Sequence, residues 1–334
     1  MLRPKVLEKG DQIGVITPSS PAPVMFEERY QRGLSQLRKM GFHIIEGTCT
    51  NKSQSYRSAS IKERAEEMNQ FIYNDEVKAI ISTIGGYNSN SLLPYLDYNH
   101  LKAHPKIVMG YSDVTALLLA IYEKTGLTTF YGPAIVPSFG EFPEMFPKGR
   151  EYFENVVMLK KNAPYSLEIP IEWTEEFLDW NTQEREKQMV ENTGWKTLRQ
   201  GKAKGTLIGG NLNTMSGFFG SEYFPNLNGA ILFLEDSFKN MADQERSYSM
   251  LKISGVFDQI EGLIIGKHEH LNDQHAPFSH DELLLEIIGD VNVPILINVD
   301  IGHTFPSHVF PIGIKASMDA GKREIRFLEN GVVG

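Results

Sequence analysis

Cysteine is almost missing from this chain: Cys49 is the only one among 334 residues. A single thiol cannot build an intrachain disulfide framework or a cysteine-rich zinc ribbon, and its rarity fits a reducing compartment. Positive charge is also in deficit. The 33 Lys and Arg stand against 42 Asp and Glu, a formal net charge of −9. That balance removes the electrostatic basis for non-specific attraction to nucleic acid or to an anionic membrane. Long apolar runs are absent too. The longest in the middle of the chain, ALLLAIY at Ala116–Tyr122, falls far short of the ~20 residues a membrane-crossing helix needs. The N-terminal MLRPKVLEKGDQIGVITPSS has neither the apolar core nor the small-residue cleavage pattern of a signal peptide. A cytoplasmic protein with no nucleic-acid or membrane partner is expected.

What is present is alternation. QIGVIT (12–17) is a short apolar run followed by turn residues. Phe26, Tyr30, Leu34 and Leu37 then recur at helical spacing up to Gly41. Ser60 with Glu63 predicts a capping box ahead of a helix with Ala65, Met68, Phe71 and Ile72 on one face. VKAIISTIGG (77–86) and IVMG (107–110) read as strands, and a helix over about 114–124 stops at Gly126. Apolar strands separated by amphipathic helices predict a parallel sheet covered on both faces, over residues 1–165.

Residues 137–200 break the pattern. They hold Pro137, Pro143, Pro147 and Pro164 and all three tryptophans, Trp173, Trp180 and Trp195, with no clean periodicity. Tryptophan is poor linker composition, so 166–200 reads as an aromatic connection packed on the domain seam or lining a substrate site. Over 201–334 the alternation resumes, with helices near 211–219, 242–253 and 280–288 and a terminal hairpin turning at Asp319–Lys322. This is a second, smaller, β-rich α/β domain.

Ligands of open α/β sheets sit at the carboxyl ends of strands. Three reactive side chains stand at such ends: Ser112 after IVMG, Glu235 closing AILFLE, and His303 after ILINVDIG. Serine, imidazole and carboxylate together suit nucleophilic acyl transfer, with the Asp113 N–H and one from Gly85 or Gly86 available to an oxyanion. Each has a plainer alternative. Ser112 is equally a helix N-cap, Glu235 a solvated strand end rivalled by Asp236, and His303 a packed turn residue. The elbow G-x-S-x-G is not matched, because Val114 replaces the second glycine. The histidines at 268, 270, 275 and 280 fit no metal-binding spacing, and IGGYNSN lacks the phosphate-loop lysine.

GGYNSNSLLPYLDY, GYSDVTALLLAIYEKTGLTTFYGP, GTLIGGNLNTM, LFLED and GHTFPSHVFPIG together resemble the LD-carboxypeptidase family of serine peptidases, most nearly its microcin C self-immunity branch. The resemblance spans about residues 10–320. It implies a flavodoxin-like N-terminal domain, a β-rich C-terminal domain, an active site between them, a homodimer, and no metal or other cofactor. It also implies Ser112 as nucleophile, His303 as base, Glu235 as its orienting acid, and Asp113 with Gly86 as the oxyanion hole. The family divides by substrate. One branch trims murein tetrapeptides across an L,D amide; the other cleaves the acyl amide of aminoacyl-nucleotide toxins such as aminoacyl-sulfamoyl adenosines. Substrate-contact candidates are Trp180 and Trp173, for stacking on a nucleobase, and Asn213 and Lys267, near strand ends of the second domain.

Overall fold

The computed structural model describes residues 1–334. Its first sheet has six strands in the order Phe310–Ile312, Thr129–Tyr131, Ile107–Gly110, Val77–Ser82, Gln12–Ile16, His43–Glu46. The last five run parallel. Helices Glu27–Lys39, Ile61–Tyr73 and Thr115–Thr125 connect them. The predicted capping box is present, with Glu63 N–H donating to Ser60 Oγ and the Ser60 N–H to Glu63.

The second sheet has eight strands. Four central parallel ones, Lys202–Asn211, Ala230–Glu235, Gly262–Gly266 and Ile295–Val299, are flanked by antiparallel neighbours. The expected hairpin is among the latter, pairing Lys315–Asp319 with Glu324–Phe327. Every residue of Ala230–Glu235 is buried, as a run covered on both faces requires. One continuous apolar core runs through both halves of the molecule. No helix is long and apolar enough to cross a membrane.

Two features depart from expectation. Residues 147–157, inside the stretch without apparent periodicity, form the helix Pro147–Val157. Pro147 at the first helical turn is compatible with helix, since the N–H that proline lacks would have no intrahelical acceptor there. Tyr152, Phe153, Val156 and Val157 supply its buried face. The strand Phe310–Ile312, which follows His303 in the chain, crosses over to extend the first sheet beside Thr129–Tyr131, antiparallel. The histidine segment is thereby anchored to both sheets.

The two halves touch closely beside the nucleophile candidate. Gly210 (φ 154°) brings its backbone against the helix Thr115–Thr125, where a Cβ would lie 2.5 Å from Thr115 Cγ2. Asn211 N–H donates to Thr115 Oγ1 at 2.9 Å across that seam. Gly110, two residues before Ser112, is packed as tightly: a Cβ there would meet Ser82 Oγ at 2.4 Å and Val114 Cγ1 at 2.7 Å. Gly110→Ala is therefore expected to destabilise the fold by about 1–3 kcal/mol through overpacking. A urea midpoint unchanged from the parent would contradict that packing.

Candidate active site

The strand Ile107–Gly110 ends at Tyr111, and Ser112 opens a short 3-10 turn leading into Thr115–Thr125. Ser112 sits at φ 62°, a left-handed conformation uncommon for a residue with a Cβ. Its side chain caps neither helical segment, so the N-cap alternative has no support. The turn is held from both sides. Ser112 N–H donates to Tyr131 Oη at 3.0 Å, and Thr115 Oγ1 donates to the Ser112 carbonyl at 2.6 Å.

Gly85 has no side chain where it faces this turn; a Cβ would lie 2.8 Å from Ser112 Cβ and 2.9 Å from the Asp113 nitrogen. Asp113 turns its carboxylate the other way. Oδ2 accepts from Asn88 N at 3.0 Å, Ser89 N at 2.9 Å and Ser89 Oγ at 2.6 Å. The aspartate thus ties the GGYNSN turn to the serine turn. Gly86 (φ 149°) lies in that turn, and its N–H donates to no backbone carbonyl of the chain.

Glu235 closes its strand with only 2% of its surface exposed. Oε2 pairs with His303 Nδ1 at 2.6 Å. Oε1 accepts from Tyr131 Oη at 2.5 Å and from Asn211 Nδ2 at 2.9 Å. Burial alone would raise the Glu235 pKa, but His303, Tyr131 and Asn211 outweigh it and hold the carboxyl below its ordinary range. For His303 the opposition is mirrored. Burial would lower its pKa, and the Glu235 charge and hydrogen bond, with Glu269 and Asp236, raise it above the ordinary histidine value. Burial and Glu235 keep the Tyr131 phenol protonated, well above its usual range. The His303 ring also meets the edge of Tyr111, centroids 4.9 Å apart.

Ser112 and His303 both line one cleft. No hydrogen bond joins them, and such pairs commonly tighten only once substrate is bound. Gly86, Trp180 and Asn213 also line the cleft, together with Lys239 and Glu269, which the sequence did not single out. The Trp180 ring lies over the Arg29 guanidinium at 4.7 Å and against Phe26.

Trp173 and Lys267 are not among the residues that line the cleft. The Lys267 ammonium pairs with Asp300, donates to the Asn298 carbonyl at 3.1 Å, and lies 5.1 Å from the Trp173 ring centroid. The two candidates occupy each other. Trp195 is fully packed, its Nε1–H donating to Asp300 at 2.9 Å. Tyr131 and Asn211 were legible in principle, since both stand at strand ends beside a glycine-bearing turn. Lys239 and Glu269 carried no local signal.

Residues 13–132 match the LD-carboxypeptidase N-terminal domain and residues 204–318 the LD-carboxypeptidase C-terminal domain. The chain is 44% identical to the microcin C7 self-immunity protein MccF of Escherichia coli, over 97% of this chain and 94% of that one. A solved structure of MccF in complex with aspartyl sulfamoyl adenosine superposes with a TM-score of 0.95 at 43% identity, covering 99% of this chain and 100% of the other. A tryptophan-to-phenylalanine variant of MccF has been solved with adenosine monophosphate, at TM-score 0.95, 42% identity and the same coverage. An MccF-like protein from Streptococcus pneumoniae in complex with AMP is more distant, with a TM-score of 0.81 and 27% identity over 95% of this chain and 98% of that one. Similarity of this extent, through both sheets and nearly end to end, means that the chain belongs to the LD-carboxypeptidase family of serine peptidases.

Proposed function

We propose that this hydrolase cleaves the acyl amide of aminoacyl-nucleotide toxins of the microcin C type, with Ser112, His303 and Glu235 as its triad, and so confers self-immunity. The observation that carries the mechanism is Ser112: an uncapped hydroxyl on a left-handed turn, in one cleft with an imidazole already held by a buried carboxylate. In this reading Ser112 Oγ attacks the acyl carbonyl while His303 Nε2 takes its proton. Glu235 keeps the other ring nitrogen protonated and stabilises the imidazolium. The N–H groups of Asp113 and Gly86 receive the oxyanion. His303 then returns the proton to the leaving nitrogen, and water releases the amino acid from Ser112. The nucleophile would come from residues 1–165 and its base from 201–334, with 166–200 closing the cleft. The same reading makes the protein a cytoplasmic homodimer acting on a small molecule.

The nucleotide half of the substrate is supported by Trp180, whose ring is in the cleft, and by relatives solved with sulfamoyl adenosine and AMP. Asn213, also in the cleft lining, offers polar contacts. Trp180→Ala should weaken binding of AMP by about 1–3 kcal/mol, the loss of one aromatic stacking partner. Trp173→Ala should leave AMP affinity unchanged. Calorimetric titration reads both, and equal effects would remove the assignment of Trp180 to the base.

Mass-spectrometric turnover of an aspartyl sulfamoyl adenosine beside a murein tetrapeptide ending in D-alanine tests the substrate class. Cleavage of the first alone is expected; cleavage of the tetrapeptide alone would replace the toxin reading with cell-wall recycling. Ser112→Ala should lower turnover by about 10⁶ while keeping the ligand bound. Residual near-normal turnover would sink the triad.

His303 must be neutral to accept the proton, and its pKa is raised. Activity is therefore present above that raised value and lost as pH falls through it. The acid limb of kcat/KM should lie above ~6.5, the ordinary histidine value. A flat profile between about pH 5 and 8 would contradict the role.

A further inference from the structure

Two histidines outside the cleft share one helical face. The short helix Tyr98–Ala103 carries His100, and His104 is the residue that ends it. His104 N–H donates to the His100 carbonyl at 2.9 Å, so the turn between them is helical and their side chains are neighbours. The two rings stack, centroids 4.4 Å apart and 13° from parallel. Asp75 approaches from the turn after the helix Ile61–Tyr73, its Oδ1 3.3 Å from His104 Nδ1. One ligand atom from each of the three side chains lies within 4.8 Å of the other two.

The ordinary uses of these groups are weak or missing. The Asp75–His104 separation exceeds the ~2.7–2.9 Å of a charge-assisted hydrogen bond. His100 Nε2 is shut off from solvent and has no hydrogen-bond partner, a state that a bound ion explains. The neighbouring cations do not take the Asp75 carboxylate. Lys78 Nζ donates to the Asp75 carbonyl at 2.7 Å, and Lys106 Nζ to the Asn74 and Val77 carbonyls at 2.6 and 2.9 Å. The helix is fixed by other means: Asp97 accepts from His100 N–H at 2.9 Å and from Tyr73 Oη at 3.0 Å, and the Tyr73 ring meets His100 edge-on.

We propose that Asp75, His100 and His104 form a site for one Zn²⁺ ion, which clamps two strand entries together. Two imidazoles and a carboxylate make a zinc donor set with the fourth position left to water. Bonds of ~2.0–2.1 Å in a tetrahedron set ligand atoms about 3.3 Å apart, and Asp75 and His104 already stand at that separation. Imidazole donors disfavour Mg²⁺ and Ca²⁺, which take oxygen. Asp75 shortly precedes the strand Val77–Ser82 and His104 the strand Ile107–Gly110, and these two strands pair in parallel. The ion therefore sits where the strands begin, at the opposite end from Gly85 and Ser112, and takes no part in acyl transfer. Its effect is on stability, because an ion held by the folded chain alone shifts the folding equilibrium.

The test is calorimetric titration of ZnCl₂ into the full chain, repeated with MgCl₂. The parent should bind one Zn²⁺ at this site and no Mg²⁺. His104→Ala, at a half-exposed position, should weaken zinc binding by more than the ~10–100-fold that loss of a supporting contact costs. Asp75→Asn should weaken it in the same direction. His43→Ala removes an exposed imidazole outside the cluster and should change nothing. At zinc about 100 times its dissociation constant, the folded-to-unfolded ratio should rise about 100-fold. That rise reads as a higher urea midpoint in the parent and is absent in His104→Ala. Equal zinc affinity in the parent and His104→Ala would place the ion elsewhere and overturn the proposal. So would magnesium binding of similar strength, no zinc binding at all, or a parent urea midpoint that zinc leaves unmoved.

Discussion

An ionised carboxylate at the end of an otherwise apolar, buried strand is unfavourable unless donors surround it, and Glu235 stands in that position. Its oxygens receive His303, Tyr131 and Asn211. These donors come from three parts of the chain: the segment after Ile295–Val299, a strand of the first sheet, and the end of Lys202–Asn211. Satisfying one charge therefore fixes the relative placement of the two sheets. Gly302 (φ 98°) makes the His303 approach possible, since a Cβ there would lie 2.1 Å from Glu235 Oε2.

The same charge reaches Ser112 through Tyr131. Its hydroxyl donates to Glu235 and accepts from Ser112 N–H, so the left-handed serine turn and the buried carboxylate share one phenol. The strain at Ser112 is consequently opposed by contacts on both sides of the seam, the second being Thr115 with Asn211. Residues 176–190 are held by separate means. Glu141 accepts from Arg29 at 2.6 Å and from Gln183 at 2.7 Å and pairs with Lys187, and the Arg29 guanidinium supports Trp180. A buried charge network of that kind is weak evidence for stability, but it does fix where the tryptophan points.

Much of this was legible because it is local. The Ser60–Glu63 cap, the strand Ile107–Gly110 that leads to Ser112 and the terminal hairpin are each specified within a few residues. The helix Pro147–Val157 was hidden by its own first residue, since proline reads as a breaker and only position in the first turn reverses that meaning. The partner sheet of Phe310–Ile312 has no local signature at all. Lys267 and Trp173 lie outside the cleft lining for a related reason. A lysine and a tryptophan near strand ends look available to substrate, and only the fold shows that Asp300 and the two side chains satisfy one another.

Strand ends position the chemistry, and connections position the choice of substrate. Ser112, Glu235 and His303 follow strands whose burial leaves them no freedom of placement, so any member of the fold family can present them alike. Trp180 lies on a connecting segment, where a change in one loop alters the wall without disturbing Ser112, Glu235 and His303. A murein peptide and an aminoacyl nucleotide would meet the same nucleophile. They would differ at the aromatic wall, where only one presents a flat base. Discrimination between them is thus a matter of the cleft's wall rather than of the strand ends at its floor.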